Sequence, residues 1–203
     1  PLAAECSVIV ARAHGGRTVN LPPQLNLHRA GILAVTQVFP DCMPAAIARQ
    51  AVDAARSIAE GLRYVGVLCV EFFLLQDGSL VVNEMAPRPH NSGHYTIDAC
   101  ITNQYEQQVR ALCNLPLGDA SAHGAAVMVN LLGDLWYAKD AHHSHEPDWH
   151  KLLSVPNLKL HLYGKAEARI GRKMGHLTAL AESVEKAVEN VKKAKEKLDI
   201  GQI

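Results

Sequence analysis

Short apolar, β-branched runs bounded by turn residues fill much of the chain, and amphipathic stretches separate or end them. Residues 6–12 (CSVIVAR) predict a buried strand. Gly15-Gly16 predicts a turn, 18–21 a return strand, and Pro22-Pro23 its end, since proline offers the ladder no donor. Residues 44–62 predict a helix: proline stands at the first turn, alanines fill the middle, and Ile47, Ala51, Ala54, Ala55, Ile58 and Leu62 share one face. Gly61 and Gly66 bracket its exit. Strands at 67–75 and 80–85 follow, joined by Gln76-Asp77-Gly78-Ser79, whose Asp-Gly pair favours a two-residue hairpin turn. Beyond them the pattern predicts a helix over 96–115, a strand over 125–132 and a polar, His-rich loop over 139–149. Strands at 158–163 and 174–180 and a Lys/Glu-rich helix over 184–198 complete the chain. Val184, Val188, Val191 and Leu198 form the last helix's apolar stripe, which is barely two heptads long and suits packing on its own domain better than a coiled coil. A composition shift near Leu117-Gly118-Asp119 predicts two units, 1–117 and 118–203. The class is α+β with antiparallel hairpins, not a doubly wound sheet.

Composition narrows the function. The 203 residues carry 20 Lys+Arg against 20 Asp+Glu, so the formal charge is zero. That argues against a general nucleic-acid or anionic-membrane surface and leaves a local basic patch open. No apolar run approaches the roughly 20 residues that span a bilayer. The start, PLAAECSVIV, has neither the basic region nor the cleavage signature of a signal peptide. Cys6, Cys42, Cys69, Cys100 and Cys113 are odd in number and form no CxxC spacing, so buried free thiols in a reducing compartment, the cytoplasm, are expected. A chain that opens at Pro1 and runs directly into a strand is expected to be a fragment of a longer protein.

The strongest chemical signal lies in the hairpin. With Asp77 and Gly78 as the two turn residues, Leu75 faces Leu80, Phe73 faces Val82 and Glu71 faces Glu84. Two carboxylates then stand about 5 Å apart at Cβ, a like-charge pair that destabilises a sheet unless something compensates. Divalent cations bridging both are the simplest agents, and hard oxygen ligands suit Mg²⁺ shared with substrate phosphates. Asn83 adds an amide oxygen beside Glu84. The alternatives are a glutamate that faces solvent or pairs with arginine, or a bulge that slips the register. The stretch 83–94 that follows is dense in polar groups. Pro87 and Pro89 stiffen it around Arg88, so that Arg88, His90 and Asn91 can meet a ligand at little entropic cost. Arg88 offers a planar fork for carboxylate, bicarbonate or phosphate, and His90 a proton carrier. A solvated loop with structural prolines is the alternative, and His94 is expected to be a structural histidine.

VEFF (70–73) with VVNEMAPRPHNSGHYT (81–96) resembles the metal-binding hairpin and following loop of the N5-carboxyaminoimidazole ribonucleotide synthetases, a family of ATP-grasp enzymes. The likeness extends through nearly the whole chain. ECSVIVAR resembles the family's strand with a ribose-binding glutamate, here Glu5. NLHRAGIL resembles a segment with a nucleotide-contacting histidine, here His28, and YGKAEARIGRKMGH resembles the C-terminal phosphate-binding stretch. Where family enzymes usually carry proline, this chain has Ile170, which touches loop stiffness and not charge. The resemblance implies an ATP-grasp subdomain over 1–117 and a small β-rich subdomain over 118–203. It implies ATP and Mg²⁺ as cofactors, bicarbonate and 5-aminoimidazole ribonucleotide as small-molecule substrates, carboxyphosphate as intermediate and a homodimer as the assembly. Glu71 and Glu84 would hold Mg²⁺, Asn83 would assist at the nucleotide, and Arg88, His90 and Asn91 would act at bicarbonate, carboxyphosphate or the aminoimidazole. Lys165, Arg169, Arg172, Lys173 and His176, with Glu167 the one acid among them, would take the ribonucleotide 5′-phosphate. A solvated basic face is the alternative for that run. The family's N-terminal domain and lysine-bearing lid are not visible upstream of Glu5, so the isolated chain is expected to show little or no synthetase activity. Other readings are a different acyl-phosphate ligase, or a non-catalytic nucleotide-binding or interface domain. His142, His143, His145 and His150 match no zinc motif and are expected on a surface loop, with Trp136 and Trp149 in a core or interface.

Overall fold

The computed structural model describes residues 1–137 and 142–198. Its centre is one nine-stranded sheet in which every pairing among the described strands is antiparallel. The strands are β1 (Leu2–Arg12), β2 (Thr18–Asn20), β3 (Gln24–Arg29), β4 (Ile32–Val38), β5 (Gly66–Leu75), β6 (Leu80–Ala86), β7 (Ala125–Leu132), β8 (Leu158–Leu162) and β9 (Lys173–Ala181). They run in the order β6-β5-β1-β3-β4-β7-β9-β8, with β2 on β1. The sheet is continuous across 117/118 through the β4–β7 pairing.

Alternation along β1 and β5 sorts the core. Cys6, Val8, Val10, Leu68, Val70 and Phe72 face α1 (Ala45–Gly61), whose Ala51, Ala55 and Ala59 are fully buried. Small residues let that helix lie close on the sheet. Leu62, expected on the apolar face, caps the helix and is exposed. Ile9, Ala11, Val67 and Cys69 point the other way, toward Tyr95 and Ala99 near α2 (Thr96–Ala99) and Ala111 of α3 (Gln104–Leu112). Glu71 shares that second face. A third cluster packs β7, β8 and β9 against α4 (Trp149–Leu153) and α5 (Val184–Lys197).

Three expectations need correction. The single helix over 96–115 is two helices, parted where Cys100 bridges Ala122. Asn103 caps the second by accepting from the Tyr105 and Glu106 amides, and Asn103 with Glu106 three residues on is a capping pair inside the run. Strands β3 and β4 fall in a stretch with no predicted element. Gln24 and Asn26 point inward while Leu27 is exposed, so the binary pattern is inverted there. Of the five free thiols, Cys113 is exposed and Cys42 half-buried. Trp136 and Trp149 pack at a tilt of 60° with ring centroids 5.4 Å apart, and both donate to Glu146. Residues 139–141 of the predicted His-rich loop lie outside the described residues. No helix among the described residues is long and apolar enough to cross a membrane.

Candidate functional site

Glu71 and Glu84 are direct cross-strand partners. The route to that pairing differs from the expected one. Leu75 N–H bonds Ser79 O, and only Gly78 in the loop has positive φ, at 83°. The connection therefore holds three residues, with glycine at the left-handed position. Leu74 faces Leu80 and Phe72 faces Val82, one residue off the two-residue register. A bulge at Asn83 then restores the offset, so Glu71 again meets Glu84. The bulge leaves Asn83 outside the ladder, beside the two carboxylates.

A cavity of about 310 Å³ gathers Glu5, His28, Glu71, Asn83, Glu84, His90 and Lys173. Seven residues that span 168 positions of the chain thus line one wall set (173 minus 5). Glu71 is 7% exposed, whereas the Glu84 side chain is 59% exposed. His90 stands between them, Nδ1 3.5 Å from Glu71 Oε1 and Nε2 3.9 Å from Glu84 Oε1. Burial first, and the Glu84 charge second, push the Glu71 carboxyl above its ordinary pKa. Burial also holds His90 neutral, down to about 4, and lowers the Lys173 ammonium against the opposing pull of Glu71. Glu71 Oε1 is buried with no hydrogen-bond partner among the described residues. A hard cation between the two carboxylates fits that orphaned oxygen, and Asn83 stands in reach as a neutral oxygen donor. His28 Nδ1 and Glu5 Oε2 meet in the wall of the same cavity.

The loop after β6 is latched from below. Gln104 accepts from His90 N–H and donates to His90 O, both at 2.8 Å. Ser92 Oγ sits 3.0 Å from His90 Nδ1 and accepts from Ser7 at 3.1 Å, and Asn26 and Thr36 continue this buried polar chain. Asn91 and Asn130 exchange amide bonds at 2.9 and 2.7 Å. Arg88 is exposed, with its guanidinium on Pro89 O. His94 is half-buried and held by Gln104 and Tyr105. Ser92, Gln104 and Asn130 escaped the sequence reading. Asn130 in the apolar run AAVMVNLL was the available signal.

The basic run does not act as one patch. Lys165 and Arg169 line a second cavity of about 740 Å³, with Glu146 and Glu167 in the same wall. Arg169 pairs with Glu167 at 2.6 Å, Arg172 donates to Glu167 O, and Gly171 N–H bonds Asp134. Lys165 donates to Lys173 O, while Lys173 itself belongs to the glutamate cavity. His176 is buried in the sheet.

The family model of the ATP-grasp domain matches residues 1–105. The chain belongs to the ATP-grasp family. A second model, the phosphoribosylaminoimidazole carboxylase C-terminal domain, matches residues 126–190. Within the ATP-grasp family the chain is 47% identical, over 180 residues, to an N5-carboxyaminoimidazole ribonucleotide synthase of Brucella melitensis, covering 87% of this chain and 46% of that protein. The crystal structure of N5-carboxyaminoimidazole ribonucleotide synthetase from Thermus thermophilus matches with a TM-score of 0.88 at 34% identity, over 100% of this chain and 52% of that one. The Aspergillus clavatus enzyme in complex with ADP and the aminoimidazole ribonucleotide matches with a TM-score of 0.82 at 30% identity, over 98% and 52%. The chain spans about half the length of the relatives it matches.

Proposed function

We propose that the protein works as an ATP- and bicarbonate-dependent ligase that carboxylates 5-aminoimidazole ribonucleotide on its amine. A bicarbonate oxygen bonds to the γ-phosphorus of ATP, ADP leaves, and carboxyphosphate results. The amine nitrogen then bonds to the carboxyl carbon, the bond to phosphate breaks, and the amine gives up a proton. The observation that carries this reading is the Glu71–Glu84 pair in one cavity with His90 and Lys173.

Glu71 and Glu84 would hold Mg²⁺, with Asn83 beside them. When bound, Mg²⁺ supplies positive charge against the ATP phosphates. Lys173, in the same cavity wall set, adds positive charge where charge develops during phosphoryl transfer. Glu5 and His28, 23 positions apart in the chain but paired in space (28 minus 5), suit the nucleotide's ribose. His90 is held neutral and fixed by Gln104, so it orients an oxygen by hydrogen bonding without adding charge. Arg88 is exposed and free to turn toward an anion at the mouth. Lys165, Arg169 and Arg172 are offered to the ribonucleotide phosphate. Tyr105, Val109 and Leu112 form an exposed apolar stripe on α3 that favours a homodimer in the same reading.

The test is a chimera in which this chain replaces the matching half of the Brucella melitensis relative. ADP release should require both bicarbonate and 5-aminoimidazole ribonucleotide. Release without bicarbonate, or a preference for another amine acceptor, would contradict the reading. The chain alone should release ADP at no more than background under the same conditions.

A further inference from the structure

Away from the glutamate cavity, Asp98, His161 and His176 bring one carboxylate oxygen and two imidazole nitrogens within 4.8 Å of one another. His161 on β8 and His176 on β9 are direct cross-strand partners, so their side chains leave the sheet on the same face. Their rings stack with centroids 4.6 Å apart and planes 15° from parallel. Asp98 comes from α2, and its Oδ2 lies 2.8 Å from His161 Nε2. His176 is 1% exposed, yet its Nε2 has no hydrogen-bond partner among the described residues. Its Nδ1 is engaged by Tyr163 Oη at 3.0 Å, so Nε2 is the nitrogen left for a ligand.

A buried ring nitrogen without a partner is costly and calls for an unseen ion or water. A water could satisfy that one atom. The full arrangement has further chemistry: two neutral imidazoles and one carboxylate, with an outer hydroxyl fixing the buried ring's orientation. That donor set suits borderline divalent cations such as Zn²⁺, whereas Mg²⁺ and Ca²⁺ prefer oxygen throughout. The 2.8 Å hydrogen bond between Asp98 and His161 would open by about 0.5 Å to reach the spacing of two ligands on one tetrahedral ion. We propose that Asp98, His161 and His176 form a site for a divalent transition cation of the Zn²⁺ class, which ties α2 to the β8–β9 hairpin. For Nε2 of His161 to bind the ion, the single N–H proton of the neutral ring sits on Nδ1 instead, so the ring stays neutral and the Asp98 carboxylate is freed to ligate. Because α2 follows directly on the loop of Arg88, His90 and Asn91, the ion would fix that loop's downstream end against the C-terminal strands. This inference does not depend on the carboxylation reading, and its readouts are binding and melting rather than turnover.

The experiment uses the tag-free chain stripped of metal by a chelator. Co²⁺ is titrated and followed by its visible d–d absorption, then displaced with Zn²⁺, and Zn²⁺ is also added in melting experiments. One equivalent of Co²⁺ should bind. Zn²⁺ at a hundredfold excess over its Kd should raise Tm by about 5–10 °C. His161→Gln and Asp98→Asn, both at partly exposed positions, should keep the fold by circular dichroism, weaken Co²⁺ binding at least about tenfold and lose the Zn²⁺ shift. The loop variant His145→Ala/His150→Ala should bind like the parent. Equal affinity in His161→Gln, loss of the signal in the loop variant, or no saturable binding at all would overturn the proposal.

Discussion

Changing Glu84 to Gln is expected to leave the fold in place and to lower bicarbonate-dependent ADP release in the chimera by about two to three orders of magnitude. The Glu84 side chain is 59% exposed and buries no polar atom that the amide would strand. What is lost is one of the two charges that hold the metal nucleotide. Changing Glu71 to Gln should cost activity similarly but move stability the other way. Burial and then Glu84 raise the Glu71 pKa, so its ionised form is disfavoured in the folded state. A carboxyl with a raised folded pKa contributes its stability below the unfolded value of 4.5 and loses it as pH rises through the folded one. At pH 7 Gln at 71 removes this cost. Relief of a cross-strand like-charge pair is worth up to about 1 kcal/mol, or roughly 2–4 °C in Tm. The advantage should shrink as pH falls through the raised folded value and vanish below 4.5, where the parent's carboxyl is protonated in both states. Steady-state kinetics of the chimera, with melting curves of the chain across pH, check both parts. A Glu71→Gln variant that melts lower than the parent at pH 7 would contradict the electrostatic account.

Gly93→Ala is expected to destabilise the chain by about 2–3 kcal/mol, seen as a fall in Tm of roughly 5–10 °C. A Cβ there would lie 2.1 Å from Ile9 Cδ1 and 2.6 Å from Gln104 Oε1. Ile9 is fully buried on β1 and has no room to move away. Gln104 is the residue that grips both backbone groups of His90, so the same methyl would loosen the loop that presents His90 and Asn91. Gly15→Ala is the control. A Cβ at Gly15 meets nothing within 4 Å, and the stability of that variant should stay within about 0.5 kcal/mol of the parent's. Gly93→Ala melting with the control would show that the loop is not packed as described.

The carboxylate pair was readable because two features of the hairpin cancel. The Asp-Gly signal is real, but Gly78 alone takes the left-handed conformation, which lengthens the loop by one residue. The bulge at Asn83 adds the compensating residue on β6. Turn chemistry alone could not supply either detail. Strands β3 and β4 stayed hidden because Gln24 and Asn26 face a buried polar chain while Leu27 faces out, the reverse of the hydrophobic pattern. The polar chain they belong to supports Ser92 under His90, so the rule fails where the sheet props up the loop. In the basic run, counting charges along the sequence found Glu167 but not Asp134, which folding brings onto Gly171. Lys173 and His176, counted within the run in sequence, are turned by β9 toward the glutamate cavity and the sheet interior.

The most direct test is a crystal of the chain grown with Mn²⁺ and ADP, with anomalous data collected to locate the metal. The account predicts an anomalous peak about 2.1 Å from carboxylate oxygens of both Glu71 and Glu84. A peak bound by neither glutamate, or by one with the other turned into solvent, would contradict it.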